Sequence, residues 1–188
     1  DLLRPVFDAS GGVEAACMNP REYRPKPEAD VMVIDGFRPP APPVIDAIWI
    51  DPPAGASPIA VRRTVGDAKI VRWAASHALG AGLHAPGSSI ASAQVFEPAP
   101  SDIQMAETEY GPAILARPGT PRTIVFGFHP LSGAQRYELT TPLVFANILR
   151  WISPETFRRW EVAGSSAGSV ETELAPETAA GPVRVISD

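Results

Sequence analysis

Three residues that can exchange protons follow three of the most apolar short segments of the sequence. Asp35 comes directly after residues 31–34, Asp51 after residues 47–50, and His129 after residues 123–128. A carboxylate and an imidazole act as general acid and base when a fold brings them together. Because α/β proteins place their ligand crevices at the carboxyl ends of parallel strands, we predict that Asp35, Asp51 and His129 share a crevice.

Each of the two carboxylates also has a purely structural use. Asp35 precedes Gly36 and Asp51 precedes Pro52, so either side chain could instead cap a turn or accept loop N–H groups. If the two carboxylates cap turns, we expect no catalytic role for them, whereas a pair of carboxylates in one crevice could act as general acid and base. We favour the capping interpretation and keep the crevice as its alternative.

The sequence predicts no metal site. The spacing of His77, His84 and His129 matches no helical or hairpin pattern of metal ligands, and no acid stands at a supporting offset. We interpret each histidine as exposed or as hydrogen-bonded for structural reasons. Cys17 is the sole cysteine, which excludes an internal disulfide and a cysteine-based metal site.

The composition fits one globular domain and argues against a nucleic-acid-binding protein. The chain has 188 residues, of which 45% are hydrophobic and 20% charged, and its net charge is -5. A nucleic-acid surface needs clustered basic residues. Arg21, Arg24 and Lys26 form the densest basic group, but prolines and acidic residues interrupt it.

The sequence holds no apolar segment of the roughly 20 residues that a membrane helix needs, and no signal peptide. It begins with Asp1 in place of a methionine. We therefore expect a fragment of a larger protein, with any targeting or membrane segment lying elsewhere.

The elements that must position these residues are short strands joined by stiff loops. Prolines concentrate in connectors such as residues 39–43 and 51–53, between β-branched and apolar runs. We predict strands at residues 13–18, 31–34, 47–50, 59–63, 68–72, 89–96, 103–108, 112–116 and 123–128. A short helix ends near residue 9, and a second begins at Thr140 or Thr141 and ends before Pro154.

This order of elements predicts an α/β fold with a mostly parallel or mixed sheet flanked by helices. The later strands are close enough in sequence to form antiparallel hairpins. After Pro154 the sequence becomes linker-like, and residues 182–186 resemble a strand without a nearby partner. We therefore predict one α/β domain over residues 1–153, followed by a linker and the start of a truncated β-rich module over residues 154–188.

Residues 123–130, with the sequence TIVFGFHP, resemble the C-terminal motif of class I glutamine amidotransferases. In that family a strand delivers a histidine, followed by proline and glutamate, to the active site. Residues 145–149, FANIL, resemble the asparagine-bearing helix that comes next. The order of the parts agrees over residues 12–152, and this resemblance implies a flavodoxin-like or amidotransferase-like α/β domain.

The catalytic parts of that family are missing, so the resemblance implies a degenerate site with no catalytic residue and no cofactor. The family's nucleophile is a cysteine in the turn after a strand. Here that turn contains Asp51, Pro52 and Pro53, and the two prolines also remove N–H donors that an oxyanion hole would use. Leu131 stands in place of the glutamate, which leaves His129 alone.

A second resemblance is to a region of bacterial Bat-type (aerotolerance) membrane proteins that contain a von Willebrand factor A domain. It rests on residues 34–39 (IDGFRP), 50–53 (IDPP), 73–79 (WAASHAL) and 147–151 (NILRW). It implies a non-catalytic structural or protein-interaction domain on the extracytoplasmic side of the bacterial inner membrane. Its partners would be other domains of the same polypeptide and envelope proteins, without nucleic acid.

The alternative function is a hydrolase or a binder of a small, sugar-like ligand at the crevice of Asp35, Asp51 and His129.

Overall fold

The computed structural model describes residues 3–8, 13–84, 89–132, 140–154, 163–164 and 170–171. The chain divides into two compact units, Asp1–Phe157 and Arg158–Asp188. In the second unit the described residues form a two-stranded antiparallel ladder between β8 (Ala163–Gly164) and β9 (Val170–Glu171). The strand expected at residues 182–186 lies outside the described residues.

The first unit contains one mixed seven-stranded sheet. Its strands are β1 (Val31–Asp35), β2 (Asp46–Ile50), β3 (Val61–Trp73), β4 (Ser89–Phe96), β5 (Ile103–Thr108), β6 (Gly111–Arg117) and β7 (Thr123–Phe126). Their order across the sheet is β1-β2-β7-β6-β5-β3-β4. Strands β1, β2 and β7 run parallel, and every other neighbouring pair is antiparallel. The prediction of an α/β fold with a mixed sheet is confirmed.

Two helices are described in this unit, α1 (Arg4–Asp8) and α2 (Thr140–Ile152). Single 3₁₀ turns occur at Pro20–Glu22 and Ala78–Gly80. Pro142 stands in the first turn of α2, where its missing N–H costs nothing, and the helix ends two residues before Pro154. Helix α2 therefore has the bounds that its prolines predict.

Strand β2 is buried on both faces because its side chains alternate between two hydrophobic clusters. Ile48 and Ile50 join the larger cluster, which also contains the apolar side of α2 and Phe7 of α1. Ala47 and Trp49 face a smaller cluster that Ile59 and Phe96 help to form. Within the described residues both helices therefore pack on one face, and a loop and β4 cover the other. The expectation of helices flanking the sheet is correct for one face.

Several strand predictions differ from the structure. The strand predicted over residues 123–128 ends at Phe126. Residues 13–18 are irregular, although Val13 and Ala15 pack against the larger cluster, because this segment pairs with no strand. Residues 59–63 and 68–72, predicted as separate strands, belong to the single strand β3. Gly66 and Asp67 look like a turn in the sequence, but Gly66 and Ala68 both pair with β4, and Asp67 lies between them at φ 49.

None of the helices in the part of the chain that the structure describes is long and apolar enough to cross a membrane.

Candidate functional site

The carboxyl ends of the three parallel strands meet at one edge of the sheet. The Gly36 N–H donates to the Ile50 carbonyl at 2.9 Å, and the Asp51 N–H donates to the Phe126 carbonyl at 3.0 Å. These bonds extend the two parallel ladders by one residue past β1 and β2. Because β2 lies between β1 and β7, Asp51 sits between the strand that ends in Asp35 and the one that precedes His129.

The structure brings His129 into contact with Asp35. The imidazole reaches from β7 to β1 across the end of β2, and its Nε2 lies 3.4 Å from Asp35 Oδ2, at the long limit of a hydrogen bond. The Leu131 N–H donates to His129 Nδ1 at 3.1 Å. Because Nδ1 accepts this bond, the neutral ring carries its proton on Nε2, which points toward the carboxylate. Both ring nitrogens of His129 therefore have partners.

Asp51 occupies the turn after β2 in a left-handed conformation. Its φ is 42, a value that aspartate tolerates better than most residues other than glycine. Its Oδ1 accepts a bond from the Gln94 side-chain amide at 3.3 Å, and the same amide donates to the Pro52 carbonyl at 2.7 Å. The carboxylate of Asp51 is thus bound by β4, separately from the pair that Asp35 and His129 make.

Gln94 and Gly127 hold this edge together, although no motif of the sequence points to a role for either residue in the site. The backbone N–H of Gln94 donates to the Gly127 carbonyl at 2.7 Å. A Cβ at position 127 would lie 2.1 Å from the Gln94 carbonyl oxygen, so only glycine allows this approach. Nothing in the local sequence predicts it, because the contact joins residues far apart in the chain.

The loops that follow β1 and β2 are tied to each other. The Arg38 guanidinium donates to the Ala54 carbonyl. Gly36 and Gly55 each have a positive φ, of 56 and 70, which shapes the two turns. The bond from Arg38 to Ala54 therefore joins the loop after β1 to the loop after β2.

The other residues that the motifs singled out have structural contacts. His77 caps the turn Ala78–Gly80, and its Nδ1 accepts the Leu79 N–H at 3.1 Å. Asn147 is buried and donates to the carbonyls of Leu79 at 3.3 Å and Ala81 at 2.9 Å. The amide of α2 thus holds the histidine-bearing turn against the helix, which explains both motifs without a ligand.

A described pocket lies on the helix side of the sheet, and its lining includes Phe128 and Pro130, the chain neighbours of His129, but none of the three predicted site residues. It is apolar, and its lining includes Trp73, Phe128, Val144 and Phe145. Its volume of about 20 Å³ leaves room for about one water molecule. Among the described residues no group of three or more His, Cys, Asp or Glu side chains could hold a metal ion, and His84 and Cys17 are exposed.

No family model and no curated protein matches this sequence. Two solved structures share its fold: the cytoplasmic protein STM1381 from Salmonella typhimurium LT2, with a TM-score of 0.61, and the cytoplasmic protein STM3548 from Salmonella typhimurium, with a TM-score of 0.60. Each is 12% identical to this chain over 80% of its length, and the matches cover 86% and 85% of those proteins. At this identity the likeness establishes the α/β fold alone.

The predicted location on the extracytoplasmic side of the inner membrane is wrong. The two solved structures named above are both of cytoplasmic proteins. The resemblance to a membrane-attached envelope protein gives no valid guide to location.

Proposed function

We propose that this chain is a non-catalytic protein-interaction domain. The observation that carries the proposal is the bond from the Leu131 N–H to His129 Nδ1. A general base needs a free lone pair, and the one lone pair of the neutral imidazole is occupied by a backbone donor. The remaining nitrogen carries a proton and faces Asp35, so the ring has no lone pair to offer a nucleophile.

The turn after β2 supports the same proposal. In an acyl-transfer site this turn supplies the nucleophile and backbone N–H groups for the oxyanion. Here Asp51 is held by Gln94, and Pro52 and Pro53 have no N–H to donate. The polar groups at this edge bind one another, as structural groups do.

The alternative of a hydrolase or a sugar-like ligand binder requires Asp35, Asp51 and His129 to face one shared cleft. Their side chains instead form two separate contacts, Asp35 with His129 and Asp51 with Gln94. The described pocket is lined by none of the three. The geometry therefore favours the interaction domain.

The test is a hydrolysis screen with p-nitrophenyl acetate and with glutamine, using the wild type, His129→Ala and His77→Ala. His77 is a matched control because its Nδ1 accepts an N–H two residues ahead, just as His129 does, but at a different turn. We expect all three proteins to match the rate of buffer. Turnover by the wild type and His77→Ala that disappears in a folded His129→Ala protein would contradict the proposal.

A further inference from the structure

Strand β1 forms an open edge of the sheet. Among the described residues it pairs with β2 on one side and with no strand on the other. Edge strands with unpaired backbone groups are the sites at which extended peptides add to a sheet.

The hydrogen-bonding pattern shows which backbone groups of β1 face this open edge. Alternate residues of a parallel strand direct both their N–H and C=O groups toward the same neighbour. Asp35 is in register with Ile50, and the Gly36 N–H donates to the Ile50 carbonyl. The even-numbered residues of β1 therefore bond to β2, and Val31, Val33 and Asp35 direct their backbone groups outward. These residues supply the alternating donors and acceptors that an added strand needs.

The side chains of β1 are apolar and incompletely covered. Val31 and Val33 contact the larger hydrophobic cluster and Met32 the smaller one, yet all three are only half-buried. An added strand would cover them on both faces of the sheet, and burial of apolar area favours its binding.

The acidic residues around β1 indicate which kind of peptide would bind there. Exposed acidic residues, Asp30 and Asp35, stand at the two ends of the apolar segment, and exposed Glu28 lies just before it. In an antiparallel pair of two copies centred on Val33, Asp35 of one chain would lie opposite Val31 of the other and Asp30 opposite Gly36, so neither carboxylate would have a cation opposite it. The same two carboxylates attract a strand that carries cations at both ends.

We propose that β1 binds an extended peptide segment with lysine or arginine on both sides of a short apolar core, as an eighth strand of the sheet. This inference rests on the proposed role as an interaction domain, and it names the surface and the chemistry of the partner. The distance between Asp30 and Asp35 sets the distance between the two cations of the peptide, so that one cation lies near each end of β1.

The probe is a capped hexapeptide with lysine at both ends of a Thr-Val-Thr-Val core, and its counterpart has glutamate at both ends. Binding is measured by fluorescence anisotropy, and protection of the Val33 and Asp35 amides by hydrogen exchange. We expect the lysine peptide to bind and to slow exchange at both amides, and the glutamate peptide not to bind. Added salt weakens the binding because the charges are exposed.

Two protein variants locate the binding. Val33→Pro removes an outward N–H, a change that edge strands tolerate, and is expected to weaken binding about ten-fold. Asp30→Asn is expected to weaken it about three-fold, whereas Glu97→Gln, an equal charge change after β4, leaves it unchanged. If Val33→Pro fails to fold, the lysine peptide methylated on alternate backbone nitrogens serves as the test, because it loses the N–H groups that would donate to β1.

Equal binding of the two peptides, equal binding to Val33→Pro in its folded form, or binding without amide protection would each overturn the proposal. Self-association of the wild type that Val33→Pro abolishes would assign the edge to a second copy instead. Hydrolytic turnover in the separate screen would refute the non-catalytic role whatever the peptide result. A clean screen with no binding of the lysine peptide would refute the β1 assignment alone.

Discussion

Asp102 and Arg117 form an ion pair in which the carboxylate is buried and the guanidinium is partly exposed. Asp102 Oδ1 accepts from Arg117 Nε, and Oδ2 accepts from Arg117 Nη2 and from the Ala99 N–H, all at 2.8 Å. The Asp102 side chain is 0% exposed and that of Arg117 36% exposed. Removing one partner of a buried pair costs about 3–5 kcal/mol, and water can recover part of that at Arg117. We therefore expect Asp102→Asn to lower the free energy of unfolding by about 2–4 kcal/mol at neutral pH.

The effect of Asp102→Asn depends on pH in a known direction. The hydrogen bond from Arg117, helped by the Ala99 N–H and opposed by burial, holds the pKa of Asp102 below its ordinary value of 3.8. A carboxyl whose pKa is lowered by folding stabilises the protein above its unfolded pKa, and that contribution is lost as the pH falls through the folded pKa. The difference in unfolding free energy between wild type and Asp102→Asn therefore shrinks as the pH falls below about 4.

The measurement is urea unfolding followed by tryptophan fluorescence, for wild type, Asp102→Asn, Arg117→Met and the double variant. Because the two residues share their bonds, the double variant should cost less than the sum of the single variants by about 1.5–2 kcal/mol. Additive costs, or an Asp102→Asn penalty that stays the same at acidic pH, would refute the reasoning.

Two further substitutions test the contacts around the candidate site and helix α2. Gly127→Ala must displace the backbone of β4 and should lower the free energy of unfolding by about 3 kcal/mol or more. Gly66→Ala, whose new Cβ would lie at an ordinary 3.6 Å from the Ala91 carbonyl, should change it by less than about 0.5 kcal/mol, and similar values for the two glycine variants would contradict the close approach. Asn147→Leu leaves two carbonyls without their donor and should cost about 2–3 kcal/mol in urea unfolding, with faster amide exchange at the turn Ala78–Gly80. Unchanged exchange there would show that the amide does not hold the turn.

Much of the fold could be predicted from local sequence. The apolar runs of β1 and β2 are followed by Asp-Gly and Asp-Pro, and β7 begins an apolar run that ends at Phe128, before His-Pro. The prolines near both ends of α2 fix its length. Local sequence misleads at Gly66 and Asp67, since a pair typical of turns continues in β3 once β4 supplies its hydrogen bonds.

The candidate site was predicted less completely. The ends of parallel strands place Asp35, Asp51 and His129 on one edge, as the order of the strands predicts. The sequence could not show that Leu131 occupies the imidazole lone pair or that Gln94 binds Asp51, since both depend on the paths of loops and of a distant strand. The proposed non-catalytic role rests on these two contacts.

The position of β7 between β2 and β6 has a consequence for how the chain assembles. Ala47 of β2 is in register with Thr123 of β7. Strand β2 therefore cannot form its ladder with β7 until the ribosome has synthesised all seven strands of the sheet. The β5–β6 hairpin closes between near neighbours and needs no such wait. On the nascent chain β2 therefore lacks its partner β7 while the antiparallel strands β3 to β6 form. During this interval the exposed apolar edge of the β1–β2 pair is most prone to aggregation.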